Sequence, residues 1–162
     1  MPLVPALVFT LRPYRESDFD RLWRIDQLCY EPPIAYSRME LGWYLHLERS
    51  FTLVAEAAAE SEGAAETLGF LVARHNGRGL GHVITIDVLP EARRAGLGSA
   101  LMQAAERHLR DAGCRRIALE MAVNNQAAFA FYRRLGYAVI RTRPRYYSNG
   151  VDALVLEKEF PS

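Results

Sequence analysis

Seven consecutive residues, Arg93-Arg94-Ala95-Gly96-Leu97-Gly98-Ser99, carry a concentrated chemical signal. Two arginines offer charge and fork-shaped donors suited to phosphate oxygens. Gly96 and Gly98 follow, and glycine lets an anion approach the backbone with no Cβ in the way. Leu97, Leu101, Ala105 and Leu109 then recur every four residues, the spacing of a helix with one apolar face. A helix start presents unpaired N–H groups and a partial positive charge, and so binds phosphate. The stretch predicts a cradle for a phosphorylated cofactor. Two other phosphate loops are excluded. No Gly-Lys-Ser/Thr follows, as a nucleotide hydrolase needs, and no third glycine stands in register for a dinucleotide site. What remains is R-x-x-G-x-G, with a basic helix start and flexible glycines as the alternative this stretch alone leaves open.

The elements that must position this cradle follow from pattern. Residues 82–88 read as a strand feeding it, and residues 98–112 as the helix leaving it, capped by Gly113. Upstream, residues 7–11 alternate into a first strand that ends at Pro13. Residues 15–18 supply an N-cap signal for a helix carrying Phe19, Leu22, Trp23, Ile25 and Leu28 on one side, stopped by Glu31-Pro32-Pro33. Ser37 is placed to cap a second short helix that would bury Met39, Trp43 and Leu47. Residues 51–56 and 68–74 read as strands around a small, acidic loop at 57–67, and a glycine-rich turn at 75–81 leads to the 82–88 strand. Three strands on short loops predict an antiparallel meander.

Beyond the long helix, residues 116–121 form a strand with Ile117, Leu119 and Met121 on one face and Ala118 and Glu120 on the other. A helix at 126–135, a strand at 137–141, a loop at 143–150 holding Tyr146 and Tyr147, and a last strand at 151–159 complete the chain. The order β, α, α, three strands, α, β, α, β, β predicts an α/β (α+β) architecture. A mixed, mostly antiparallel seven-stranded sheet carries helices on both faces.

At 162 residues with net charge +1, the chain reads as one domain, residues 1–162, with no charge bias toward nucleic acid. No apolar run suggests a membrane span, and the apolar N-terminus lacks the basic region of a signal peptide. Cys29 and Cys114, with no C-x-x-C, read as buried free thiols suited to a reducing cytosol, so the expected location is cytoplasmic. The four scattered histidines indicate no metal site.

Three blocks now stand in order: I-T-I-D-V-L-P-E-A-R-R-A-G-L-G-S-A-L-M, then I-A-L-E-M-A-V-N-N-Q-A-A-F-A-F-Y-R-R-L-G-Y, then R-Y-Y-S-N-G-V-D-A-L. Together they resemble the GNAT acyl-CoA N-acyltransferases. Within that superfamily the chain is most similar to the ribosomal-protein alanine N-acetyltransferases and the related archaeal and eukaryotic N-terminal acetyltransferases. The similarity spans roughly residues 81–156; the first half, where substrate choice resides in such enzymes, is weakly matched.

The resemblance implies acetyl-CoA as cofactor. Its pyrophosphate would lie on Arg93, Arg94, Ala95, Gly96, Leu97, Gly98 and Ser99, and its acyl-pantetheine arm would pair with the strand edge at Val88. Asn125 matches a position that bonds that arm. Tyr132 matches the tyrosine beside the cofactor sulfur, a proton donor to the leaving thiolate. Glu120 stands where a general base is expected, and His82, in a shared G-H-V context, is a second candidate. Tyr146 and Tyr147 match a loop that closes over the acceptor, with Glu31 and Tyr36 expected on the opposite wall.

A protein α-amine titrates near 8, about two units below lysine, so a carboxylate can remove its proton near neutral pH. The expected function is an acetyl-CoA-dependent N-α-acetyltransferase acting on protein or peptide N-termini by direct attack, as a monomer or weak homodimer without nucleic-acid or membrane partners. A GNAT that acetylates a small-molecule amine and a non-catalytic acyl-CoA sensor are the alternatives.

Overall fold

The computed structural model describes residues 7–32, 34–58 and 65–161. The readings of the extreme N-terminus and of the centre of the 57–67 loop lie outside the described residues. Strand β1 spans Phe9–Pro13, and a single 3-10 turn at Glu16–Asp18 leads into helix α1, Phe19–Cys29. Asp18 anchors that start: its carboxylate accepts the Arg15 N–H at 2.8 Å and pairs with Arg12 of β1 at 2.7 Å.

Helix α1 buries Leu22 and Ile25 as expected, but Leu28 is 62% exposed and Asp26 is fully buried instead. Ser37 caps helix α2 (Arg38–Leu45), its hydroxyl accepting from Glu40 N–H while Glu40 returns a bond to Ser37 N–H. The expected inward face of α2 is wrong by about half a turn. Leu41 and Leu45 are buried, Met39 and Trp43 are exposed, and Leu47 lies past the helix end. The Ser37 cap sets the helix frame, and in that frame the pair that meets the sheet is Leu41 and Leu45.

Strands β2 (Ser50–Ala57), β3 (Thr67–His75) and β4 (Leu80–Val88) form the expected antiparallel meander. Helix α3 (Leu97–Asp111), strand β5 (Arg116–Ala122), helix α4 (Gln126–Arg134), and strands β6 (Ala138–Arg143) and β7 (Ala153–Glu159) follow. All seven strands join one sheet in the order β1-β2-β3-β4-β5-β7-β6, antiparallel except where β4 meets β5. Helix α1 lies against β3 and β4 on one face, and α3 lies against β2, β3 and β4 on the other. Strand β3 is therefore covered on both sides, and its first seven residues are all buried. Gly98 at the start of α3 faces the ring of Phe131, which brings α4 alongside α3.

Where β3 meets the end of β4, side-chain volume is excluded. A Cβ on Gly69 would stand 2.6 Å from Asp87 O and 3.2 Å from Val88 Cα, both backbone atoms that cannot swing aside. Gly69→Ala is therefore expected to destabilise the protein by about 1–3 kcal/mol, seen as a drop of several degrees in Tm. A Tm within error of wild type would show that β4 yields at this point.

Candidate active site

The site begins where two parallel strands stop pairing. Strands β4 and β5 match only at Leu80↔Arg116, Gly81↔Ile117 and His82↔Ala118. Past these pairs β4 runs on to Val88 and β5 to Ala122 without pairing, so β4 keeps an open edge. The carbonyls of Ile84, Ile86 and Val88 point there, and strand alternation puts their N–H groups on the same edge. Side chains reach these carbonyls: Tyr30 Oη donates to Ile86 O at 3.0 Å, and Tyr36 Oη makes a long 3.5 Å contact with Ile84 O. Val88 O accepts from Arg93 Nε at 3.0 Å and from Cys29 Sγ at 3.3 Å. Val88 thus sits on the expected edge, and Arg93 folds back onto it.

The turn read as a phosphate cradle leads into a helix start through left-handed backbone. Gly96 sits at the N-cap of α3 with φ +86°, and Arg94 also has positive φ (+67°). Among the described residues no side chain caps the α3 N-terminus and no acidic residue occupies its first turn, so its N–H groups remain available to an anion. Arg93, Arg94, Ala95 and Gly96 are exposed, while the Leu97 side chain is buried and only its backbone faces the cradle. Gly98 also serves packing, since a Cβ there would stand 3.1 Å from the Phe131 ring; this glycine lets α4 approach α3. Asn125 caps α4, its Oδ1 accepting Ala128 N–H at 3.1 Å, which leaves its amide NH2 to offer elsewhere.

A cavity of about 450 Å³ opens beside the β4 edge, lined by Tyr30, Tyr36, Tyr44, Glu120, Asn125, Tyr132, Tyr146 and Tyr147 among others. Glu31 is exposed and does not line it; its neighbour Tyr30 does. Glu120 lines the cavity and meets His82 at its margin, His82 Nε2 to Glu120 Oε2 at 2.6 Å. Simple alternation puts His82 in phase with Val88, but a bulge in β4 opposite Val72–Ala73 breaks the count. His82 consequently shares its face with Thr85, Asp87 and, across the sheet, Glu120. Arg143 of β6 stands 3.8 Å from the other Glu120 oxygen. Burial pushes the Glu120 carboxyl up, but the His82 hydrogen bond and the positive charges of Arg143 and Arg141 outweigh it. Its net pKa is below the ordinary value.

The aromatic walls differ in exposure: Tyr132 is buried, whereas Tyr146 is exposed. Burial, with the nearby Asp87 charge, raises the Tyr132 phenol well above its usual value, so it stays protonated. Burial also pushes the Tyr147 phenol up to about 12. Tyr146 and Tyr147 stack edge to face at 5.0 Å, with the Arg143 guanidinium over the Tyr146 ring. On the opposite side Tyr36 lies 5.0 Å from Tyr44. A more open depression of about 820 Å³ around Gly79, Arg115 and Phe160, at the other end of β4, holds none of these residues.

An open strand edge, an uncapped helix start with exposed arginines and a carboxylate–imidazole pair are features that acyl transfer to an amine could use. The chain matches the model of the "Acetyltransferase (GNAT) family" over residues 19–137 and belongs to that family. It is an acetyltransferase, and the family's acetyl donor is acetyl-CoA. The residues present fit that donor: its pyrophosphate suits the α3 N-terminus and its amide-bearing arm suits the unpaired β4 edge. Among relatives, an uncharacterized N-acetyltransferase of Methanocaldococcus jannaschii is 30% identical over 153 residues, covering 94% of this chain and 92% of its own. N-alpha-acetyltransferase 30 of Schizosaccharomyces pombe is 30% identical over 145 residues, 89% of this chain and 93% of its own. The crystal structure of Ard1 from Thermoplasma volcanium superposes with a TM-score of 0.82 at 24% identity, covering 95% of this chain and 99% of that one.

Several site residues escape a sequence reading. Tyr30 and Tyr44 are not among them: the aromatic segment 30–44 reads as either core or groove wall, and both rings line the cavity. Asp87 sits inside the apolar run I-T-I-D-V, and that unpaired acid was the one visible signal. Arg143 is legible only once β6 and β7 are in register, which places Arg143 opposite Ala153, two pairs beyond Glu120↔Val155.

Because its folded pKa is depressed, Glu120 adds stability that is present above the ordinary carboxyl range, about 4.3, and is lost as pH falls through its own lower value. The Tm gap between wild type and Glu120→Gln should therefore be open at neutral pH and close in acid. A gap that does not change with pH would remove Glu120 as the ionised partner of His82.

Proposed function

We propose that this acetyltransferase acts on the N-terminal α-amine of proteins or peptides, by direct attack and without an acyl-enzyme. The observation that carries the reading is the position of the Glu120–His82 pair. It stands at the head of the open β4 edge, with Glu120 lining a cavity walled by Tyr36 and Tyr44 on one side and Tyr146–Tyr147 on the other. Such a cleft suits a chain end fed between two loops. The relative named N-alpha-acetyltransferase 30, aligned along nearly its whole length, supports it. So does the presence of a ribosomal-protein-S18-alanine N-acetyltransferase among the structural neighbours.

When bound, acetyl-CoA supplies the acetyl group as a thioester. The chain's own residues then have separable roles. Arg93, Arg94 and the backbone of residues 94–99 hold the pyrophosphate, far from the reacting carbon, so that binding there orients the thioester. The edge N–H and C=O groups of Ile86 and Val88 pair with the arm like an added strand, with the Asn125 amide nearby.

Glu120, ionised at neutral pH, attracts the incoming ammonium. A carboxylate held below its ordinary range is a weak base on its own, so its hydrogen-bonded His82 completes the proton path; that ring is about a third exposed and delivers the proton to water. Tyr132 keeps a proton on Oη for the leaving sulfur. Cys29 takes no covalent role: burial pushes its thiol up to about 11, and it is engaged with Val88 O.

Acetyl-CoA with N-terminal peptides (Ala, Ser, Met-Leu and Met-Glu starts), a lysine peptide and polyamines tests this directly, with CoA release as the readout. Turnover confined to small amines would refute it. With an active peptide, Glu120→Gln should lower kcat about 100-fold or more while leaving acetyl-CoA affinity unchanged. Tyr132→Phe should lower kcat more for poor thiolate leaving groups than for good ones. Unchanged kcat in Glu120→Gln near neutral pH would remove it as a base.

A further inference from the structure

Beneath the cavity, two aspartates are sealed from solvent. Asp26 of α1 is 0% exposed and Asp87 of β4 is 1% exposed. One oxygen of each has a donor: Asp26 Oδ2 accepts Tyr36 N–H at 2.7 Å, and Asp87 Oδ1 accepts the Thr85 hydroxyl at 2.6 Å. Asp26 Oδ1 and Asp87 Oδ2 are buried with no donor among the described residues. The two carboxyls lie within hydrogen-bonding reach of one another. Two carboxylates have only acceptors to offer each other; one proton between them makes a charge-assisted hydrogen bond and satisfies both orphaned oxygens. Two ionised carboxylates side by side in the core would instead repel, with no buried cation among the described residues to offset them.

We infer that Asp26 and Asp87 share a single proton and act together as positioning residues for acetyl transfer, holding Tyr30 and Tyr36 against the open edge of β4. This rests on the acceptor-side reading of those tyrosines given above. Asp26 controls both: its carbonyl accepts Tyr30 N–H at 3.0 Å and its carboxylate accepts Tyr36 N–H. Asp87 lies between Ile86 and Val88, whose carbonyls meet Tyr30 and Cys29. One carboxyl–carboxyl contact therefore ties both ends of the α1–α2 connection to the strand that receives the cofactor arm.

The groups facing the pair are few. Asp26 meets Tyr36 and, from α2, the charge of Glu40. Asp87 meets Thr85 on its own strand, Cys29 and Tyr30 at the end of α1, Tyr36 beyond them, Tyr132 of α4 and, from the loop after β4, the exposed Arg93. Burial raises both carboxyls, Asp87 the further, and the Asp26 contact raises Asp87 again. The folded protein thus keeps a proton that the unfolded chain releases in the ordinary carboxyl range. The latch is complete at low pH and is lost as pH rises through the pair's own, higher value.

The test uses the whole protein and three variants. Infrared spectra without acceptor should show a protonated buried carboxyl at neutral pH in wild type, absent in Asp87→Asn and in Asp26→Asn. The Asp87→Asn amide replaces the shared proton with a permanent donor, so peptide KM should stay near wild type. Asp87→Leu, which leaves Asp26 without a partner, should raise peptide KM about tenfold or more with kcat at saturating peptide little changed. The wild-type to Asp87→Asn ratio of kcat/KM should fall as pH rises, since only wild type loses its latch. Absence of the infrared band in wild type, or Asp87→Asn as impaired as Asp87→Leu, overturns the inference. If Asp87→Leu does not fold, the band and the Asp87→Asn pH profile decide. The infrared readout needs no acceptor, so a failed N-terminal reading and a failed latch give different results.

Discussion

The parting of β4 from β5 after three residue pairs governs the rest of the molecule. An unpaired strand edge is costly when buried and hazardous when exposed, because each N–H and C=O needs a partner. Here every second residue of β4 from Ile84 onward turns both groups into the gap. The protein occupies that edge with donors on side chains rather than with another strand: Tyr30, Tyr36, Cys29 and Arg93. A side-chain donor leaves the backbone N–H groups open and can move aside. The edge is thereby guarded and ready for an amide-bearing ligand, and the gap sets where Glu120 and His82 face each other.

Charge is distributed around that gap with opposite consequences on its two sides. At the mouth, Glu120 is held ionised by His82, Arg143 and Arg141, and the pair reaches solvent. At the floor, Asp87 is buried and pushed far toward its neutral form, and the phenols of Tyr30, Tyr36 and Tyr132 are raised with it. An ionised carboxylate at the mouth meets an incoming ammonium; protonated hydroxyls along the wall offer donors without adding charge. The two acids differ in role because their surroundings push their titrations apart.

Features fixed by local backbone needs were legible in the chain. Gly96 answers a positive φ, Ser37 and Glu40 form a reciprocal cap, and the apolar period of α3 shows directly which residues are buried. Glu120 was also readable, because β5 runs without a bulge and alternation holds along it. His82 lies at the site for a reason other than strand parity: β4 is bulged, and its phase with Val88 is lost. The inward face of α2 was misread because Met39 and Trp43 are as apolar as Leu41 and Leu45, and only the helix frame relative to the sheet decides between them. Asp26 was hidden for a different reason. An acid on an apolar helix face reads as surface, and its burial makes sense only once Asp87, far along the chain, is placed opposite.

That long-range pairing ties the weakly matched first half of the chain to the family-like second half. The segment around α1 and α2 contributes no residue to the phosphate cradle, yet it caps the β4 edge and supplies one wall of the cavity. Its anchorage is a hydrogen-bonded contact with a β4 residue that stands between two edge carbonyls. A substitution that shifts α1 by a fraction of a turn would move Tyr30 and Tyr36 together, because Asp26 holds both backbones. It would leave the α3 N-terminus untouched. On the proposed function, acceptor fit and cofactor binding can thus vary independently on one sheet, with the acceptor side resting on α1 and the cofactor side on α3.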